Sequence, residues 1–184
     1  NLRYSQRLFF FFLNFEIAEL KQGHQIKIIA LELKNEIVLD VEPLNFPIKI
    51  KGTVDRIDEF NGITRIIDYK TGSVKQDKVR VMNWEDITLD YDKYSKPFQI
   101  LTYALMMSQS APLKFPLQAG IISFKNLKSG FLPFQKQISY GKYDDFISEE
   151  TLNDFNQELC KLILEIFDER TDFVEKEIKS FSSF

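Results

Sequence analysis

At 184 residues, 44% hydrophobic and 28% charged, the chain is long enough for one well-packed globular domain and short for two. A formal net charge of −3 and a pI near 5.4 exclude a passive, charge-driven nucleic-acid binder, although an enzyme that uses cations to bridge carboxylates and phosphates can be acidic overall. One cysteine, Cys160, and one histidine, His24, exclude an internal disulfide framework, a four-cysteine zinc or iron–sulfur site, and a His-rich metal centre.

Residues 2–22 carry a helical stripe at Leu2, Phe9, Leu13, Ile17 and Leu20, which Phe10, Phe11 and Phe12 widen, so this helix is expected to be buried on more than one side. The eighteen phenylalanines of the chain likewise imply a large aromatic core. The apolar run Leu8–Leu13 falls far below the ~20 residues that span a bilayer, and no basic n-region or small-residue cleavage site marks a secretory signal. A cytoplasmic protein with no membrane partner is expected. The sequence lacks an initiator Met and opens within a helical pattern, which reads as a fragment of a larger protein. Glu16 and Glu19 could reach a metal site from this helix, but acidic residues near a helix end are commonly solvated. Gly23 ends the helix, and His24 reads as a cap-region or surface residue.

From Ile26 the pattern turns to β, in four runs at 26–34, 36–44, 46–58 and 63–70, which predict an antiparallel meander covering the helix. Glu32 reads as a polar residue on its exposed face. Asn61-Gly62 between the last two runs predicts a two-residue type I′ turn. That turn sets a register in which opposed residue numbers sum to 123, pairing Arg56 with Ile67, Asp58 with Arg65 and Val54 with Tyr69. It also sets Asp55 directly opposite Asp68, where like charges are unfavourable unless compensated. A bound cation is one compensation, and a solvated polar face is the other reading. Lys70, two residues beyond Asp68, shares its face. Two carboxylates and a lysine thus converge beside Gly52 and Thr71-Gly72, where the absence of side chains leaves room. Hard oxygen ligands of this kind suit Mg²⁺ or Mn²⁺.

Residues 73–93 lose periodicity and read as a long loop carrying Lys75, Lys78 and Arg80. Its Trp84 is either a base-stacking platform or an anchor on the core. A helix is predicted over 95–108, with Ser95 at its start and Pro97 in its first turn, and Gln99 and Tyr103 four apart on one face. The apolar run 117–124 predicts a buried strand, so that strand, helix and strand form a crossover unit. Residues 126–140 read as an excursion, a hairpin packing its phenylalanines. A long amphipathic helix is predicted from Glu149 to Arg170, with Cys160 in its apolar stripe. The tail, 171–184, looks like the start of something cut short.

With Gly-x-x-Asp-Arg-Ile-Asp at 52–58, Ile-Ile-Asp-Tyr-Lys-Thr-Gly at 66–72 and Gln-x-x-x-Tyr at 99–103, the chain resembles the RecB-like nucleases of the PD-(D/E)xK superfamily, and most in look the AddB-type C-terminal nuclease domain. The resemblance spans roughly residues 26–125. It implies a single α/β domain over 1–184 with a restriction-endonuclease-like core, a mixed sheet flanked by helices in the order α-β-β-β-α-β, and a C-terminal helical extension. Carried over position by position, it implies that Asp55 and Asp68 bind Mg²⁺ or Mn²⁺ with the Tyr69 carbonyl as a further ligand. Lys70 becomes the catalytic lysine, and Gln99 and Tyr103 the third motif. The family's upstream histidine has no counterpart before Asp55. The four cysteines that hold an iron–sulfur cluster in many relatives are reduced to Cys160, so no such cluster is expected within this chain.

The resemblance therefore implies a metal-dependent DNA nuclease, exonuclease ahead of endonuclease, acting in DNA recombination, repair or end processing. A helicase or other domains of a larger repair complex would be its partners. The rival reading is a catalytically inactive nuclease-like scaffold that binds nucleic acid or a partner protein.

Overall fold

Asn61 and Gly62 both take positive φ, 49° and 86°, the backbone that a type I′ turn requires. The hairpin they close is the centre of the fold. The computed structural model describes residues 2–110 and 113–174; the last ten residues of the predicted tail lie outside them. Strands β2 (Ile48–Phe60) and β3 (Ile63–Lys70) pair antiparallel in the expected register, from Phe60 with Ile63 out to Arg56 with Ile67. The two predicted runs before them form one strand, β1 (Ile26–Leu39), which pairs antiparallel with β2 along nearly its whole length. An irregularity between Ile28 and Ala30 and a positive φ of 49° at Glu32 let the strand bend without breaking.

After β3 the chain crosses over through helix α2 (Tyr91–Ser110) to β5 (Gln118–Ser123), which lies parallel to β3 with Asp68 beside Ile121 and Lys70 beside Ser123. This is the predicted crossover unit. Helix α2 starts four residues earlier than Ser95, because the Asp90 side chain accepts the Lys93 N–H and the Asp90 carbonyl accepts the Tyr94 N–H, an aspartate cap. Pro97 therefore falls inside the helix rather than in its first turn. Before it, residues 73–90 are not a bare loop. They contain two short 3₁₀ turns and strand β4 (Arg80–Val81). Trp84 stacks on Phe134 and packs against the core, the anchoring role.

The excursion after β5 splits in two. Strand β6 (Phe131–Pro133) joins the main sheet, giving the order β1-β2-β3-β5-β6, while β7 (Gln135–Ser139) and β8 (Lys142–Asp144) form a small second sheet with β4. A side chain at Gly120 would meet the Leu132 carbonyl at 2.2 Å, so only glycine lets β6 approach β5 there. Helix α3 (Glu149–Ile166) begins at a capping box between Ser148 and Thr151. It ends four residues short of Arg170, where the Asp168 carboxylate takes the backbone and side-chain N–H groups of Arg170 and closes a turn. Cys160 is half-buried against the core, as its stripe position predicted.

The main core lies between the sheet and α2 with α3, and it is built of Ile, Leu, Val and Met, with Phe134 and Phe155 its buried phenylalanines among the described residues. The expected aromatic core is thus largely aliphatic. Helix α1 (Leu2–Lys21) lies on the sheet's other face, where Phe12 meets Tyr69 and Phe124 edge-on. It is covered on that side only. Phe9, Phe10 and Phe11 are exposed, Phe10 at 63%, because a helix laid on one face of a sheet can bury one stripe and no more. No helix among the described residues is long and apolar enough to cross a membrane.

Candidate active site

The alternation of β2 breaks where the site begins. Ile48, Ile50 and Val54 pack on the main core, and so does Ile57, although 54 and 57 differ in parity. On β1, Ala30 and Leu33 show the same change of phase around Glu32, which lies between the pairs Leu31–Arg56 and Leu33–Val54. The β2–β3 ladder ends at Arg56–Ile67, so the expected pairs Asp55–Asp68 and Val54–Tyr69 are not formed as ladder pairs. Instead the Asp55 carboxylate reaches across and accepts the Tyr69 N–H at 2.7 Å. In an antiparallel ladder a residue's N–H and C=O point to the same neighbour, so the Tyr69 carbonyl shares the edge that Asp55 occupies.

Asp68 is only 4% exposed, which excludes the solvated polar face. Burial holds its carboxyl above the usual carboxylate range, with the Asp55 charge adding to that effect and Lys70 and Lys96 working against it. The expected repulsion between the two carboxylates is present, but desolvation outweighs it. The Lys70 ammonium sits 2.9 Å from Asp68 Oδ2, off the line of a hydrogen bond, and donates its bond to Gln99 Oε1 at 2.8 Å. Gln99 Nε2 in turn donates to the Tyr103 hydroxyl at 2.8 Å. On the side that faces α2, Gly52 does not leave the room expected. The Tyr103 ring and Met106 lie over it, so this glycine lets α2 approach the sheet.

Asp55, Asp68, Lys70, Gln99 and Tyr103 are therefore gathered at one end of the β2–β3 hairpin. Residues 16, 19 and 24 are elsewhere. Glu16 pairs with Arg56 on the α1 face, while His24 lies at the Asn61-Gly62 turn beside Glu19, its ring tilted against Phe60. Asp58 points away from the site, fully buried, and holds Arg65 through two 2.8 Å bonds and Arg56 at 2.6 Å. Lys96 of α2 was missed by the sequence reading. It stands one helical turn before Gln99, and its charge reaches Asp68; the spacing of three from Gln99 was the available signal.

The donor set fits a divalent cation. Asp68 Oδ2 is a buried oxygen whose close neighbour, Lys70 Nζ at 2.9 Å, does not meet it in hydrogen-bond geometry, and a hard cation is a partner that such an oxygen accepts. Asp55, Asp68 and the Tyr69 carbonyl are the groups that would hold it. Among the described residues no group of three or more His, Cys, Asp or Glu side chains is assembled, so water or substrate oxygens would complete the shell.

A raised folded pKa means that the native state holds the Asp68 proton more tightly than the unfolded chain does. The resulting cost is absent below the unfolded value near 4 and grows as pH rises through the folded one. Asp68→Asn is therefore expected to melt higher than wild type at pH 7 in EDTA, with the difference vanishing below about pH 4. Mn²⁺ at a hundredfold excess over its Kd should add about 2.7 kcal/mol to the wild type, roughly 5–10 °C for a chain of this size, and nothing to the variant. Parallel melting curves at the two pH values, with and without metal, check both halves; a wild type that melts unchanged in Mn²⁺ would sink the site.

Among known families, the model of the PD-(D/E)XK nuclease superfamily matches residues 3–177. No curated protein matches the chain.

Proposed function

Because the chain belongs to the PD-(D/E)XK nuclease superfamily, we propose that it is a divalent-metal-dependent deoxyribonuclease that hydrolyses phosphodiesters at Asp55, Asp68 and Lys70. The observation that carries this reading is the buried Asp68 carboxylate, its Oδ2 paired at 2.9 Å with a lysine that is itself held by Gln99. A divalent cation, when bound by Asp55, Asp68 and the Tyr69 carbonyl, lowers the pKa of water and neutralises phosphoryl charge.

The chain's own residues do the rest. An ammonium has three N–H donors; Lys70 commits one to Gln99 and faces Asp68 with another, which leaves the third for a phosphoryl oxygen. Charge that develops on that oxygen as water attacks phosphorus in line then meets a fixed cation, with no reorganisation at the moment of reaction. Gln99 and Tyr103 fix the ammonium, because the Gln99 amide is held at both ends and cannot rotate away. The Asp55–Tyr69 bond fixes the angle between β2 and β3 and so the separation of the two carboxylates.

The RecB-like motif set supports exonucleolytic cutting, cytoplasmic action in recombination, repair or end processing, Mg²⁺ or Mn²⁺ as the metal, and a helicase-bearing assembly as partner. The test is incubation of wild type and an Asp68→Ala, Lys70→Ala double variant with single- and double-stranded DNA in Mg²⁺ or Mn²⁺. Cutting by the wild type alone is expected. Equal cutting by the two, or none by either, leaves a nuclease-like scaffold instead.

A further inference from the structure

A cavity of ≈ 580 Å³ opens directly beside the candidate active site, and Lys70 and Gln99 form part of its wall. Its other walls come from three elements. Ile87 and Thr88 belong to the 3₁₀ turn before α2, Tyr91, Ser95, Lys96 and Phe98 to α2, and Leu162 to α3. The volume lies in the range of roughly 300–1,000 Å³ that ligand pockets occupy. Whatever fills it touches the lysine at the reacting centre.

The lining has three kinds of surface. Ile87, Phe98 and Leu162 make an apolar slot, Thr88 and Ser95 supply hydroxyls, and Lys96 supplies a cation. A planar apolar body, a polar ring and an anionic group are together the parts of a nucleotide. We propose that this cavity receives one unpaired deoxynucleotide next to the scissile phosphate, its base along Phe98 and Tyr91 and its phosphate on Lys96. The proposal rests on the nuclease reading for its place in the reaction, but its chemistry is that of the cavity itself. Stacking against aromatic side chains tolerates any base, so the pocket selects an unpaired strand end rather than a sequence.

The test is calorimetric titration of the full chain with thymidine 5′-monophosphate in EDTA, where the metal site and hydrolysis play no part. Saturable binding is expected, weakened about tenfold or more in Lys96→Ala, as for loss of a hydrogen bond to a charged group. Binding should be absent from Ser95→Trp, which fills the slot; Thr88→Trp blocks it from the opposite wall if the first variant melts early. Unphosphorylated thymidine should bind more weakly than the monophosphate. Equal affinity of wild type and Lys96→Ala, equal affinity for thymidine and its monophosphate, or no saturable binding would overturn the pocket. Binding without DNA cutting would keep the pocket and discard hydrolysis, and cutting without Lys96-dependent binding would do the reverse.

Discussion

Lys70→Ala is expected to lower turnover on DNA about 10²–10³-fold at saturating metal, the usual cost of removing one preorganised charge that faces the transition state. The Michaelis constant should change little, because the lost interaction is made in the transition state rather than with bound substrate. The 2.8 Å bond to Gln99 and the 2.9 Å approach to Asp68 hold the ammonium in place before substrate arrives. The variants should rank accordingly. Gln99→Ala leaves the charge but frees its position and should cost less than Lys70→Ala, and Tyr103→Phe, which removes only the acceptor for Gln99 Nε2, should cost least. Steady-state kinetics on a defined oligonucleotide decides this; Lys70→Ala turning over like wild type would remove the lysine from the mechanism. Saturating metal matters because Asp68 loses the lysine that pairs with it at 2.9 Å in that variant and should then hold its proton more tightly.

The largest loss of stability is expected at Asp58, outside the active site. Its carboxylate is fully buried between Arg56 and Arg65, which are themselves buried. Breaking a buried ion pair by removing one partner costs about 3–5 kcal/mol, since the remaining charge stays out of water uncompensated. Here two guanidiniums are left facing each other, with Glu16 as the remaining carboxylate on Arg56. Asp58→Ala should therefore melt roughly 6–20 °C below wild type. The exposed pair Glu36–Lys49, 3.1 Å apart, gives the contrast. Glu36→Ala should change stability by no more than about 1 kcal/mol. Denaturant unfolding of both variants measures the two costs on one scale, and an Asp58→Ala variant as stable as Glu36→Ala would show that the cluster contributes little. The same burial makes Asp58 a poor neutral control for metal binding, although its side chain points away from the site.

Much of this protein was legible in its sequence because the controlling signals are local. An Asn-Gly pair needs positive φ at both positions and therefore sets the hairpin register, from which the Asp58–Arg65 pair follows by counting. An apolar helix between two strand runs must cross over and return parallel, which brought β5 beside β3 and α2 over the sheet. The spacing of four between Gln99 and Tyr103 places them on one helical face, and there they share a hydrogen bond.

What only the tertiary structure decided are the departures from those periods. The alternation of β2 changes phase between Val54 and Ile57, and a count by twos detects neither that nor the positive φ of Glu32 on the partner strand. The burial of Asp68 depends on α2 and β5 closing around it, so its raised pKa has no local signature. Lys96 became part of the site because α2 packs over β3, which brings its charge to Asp68. The phenylalanines of α1 look like core residues by composition, yet three of them face outward because the sheet offers that helix a single face to bury. Turn chemistry and side-chain period act over a few residues and are written there, whereas desolvation and the crossing of elements are properties of segments distant in the chain.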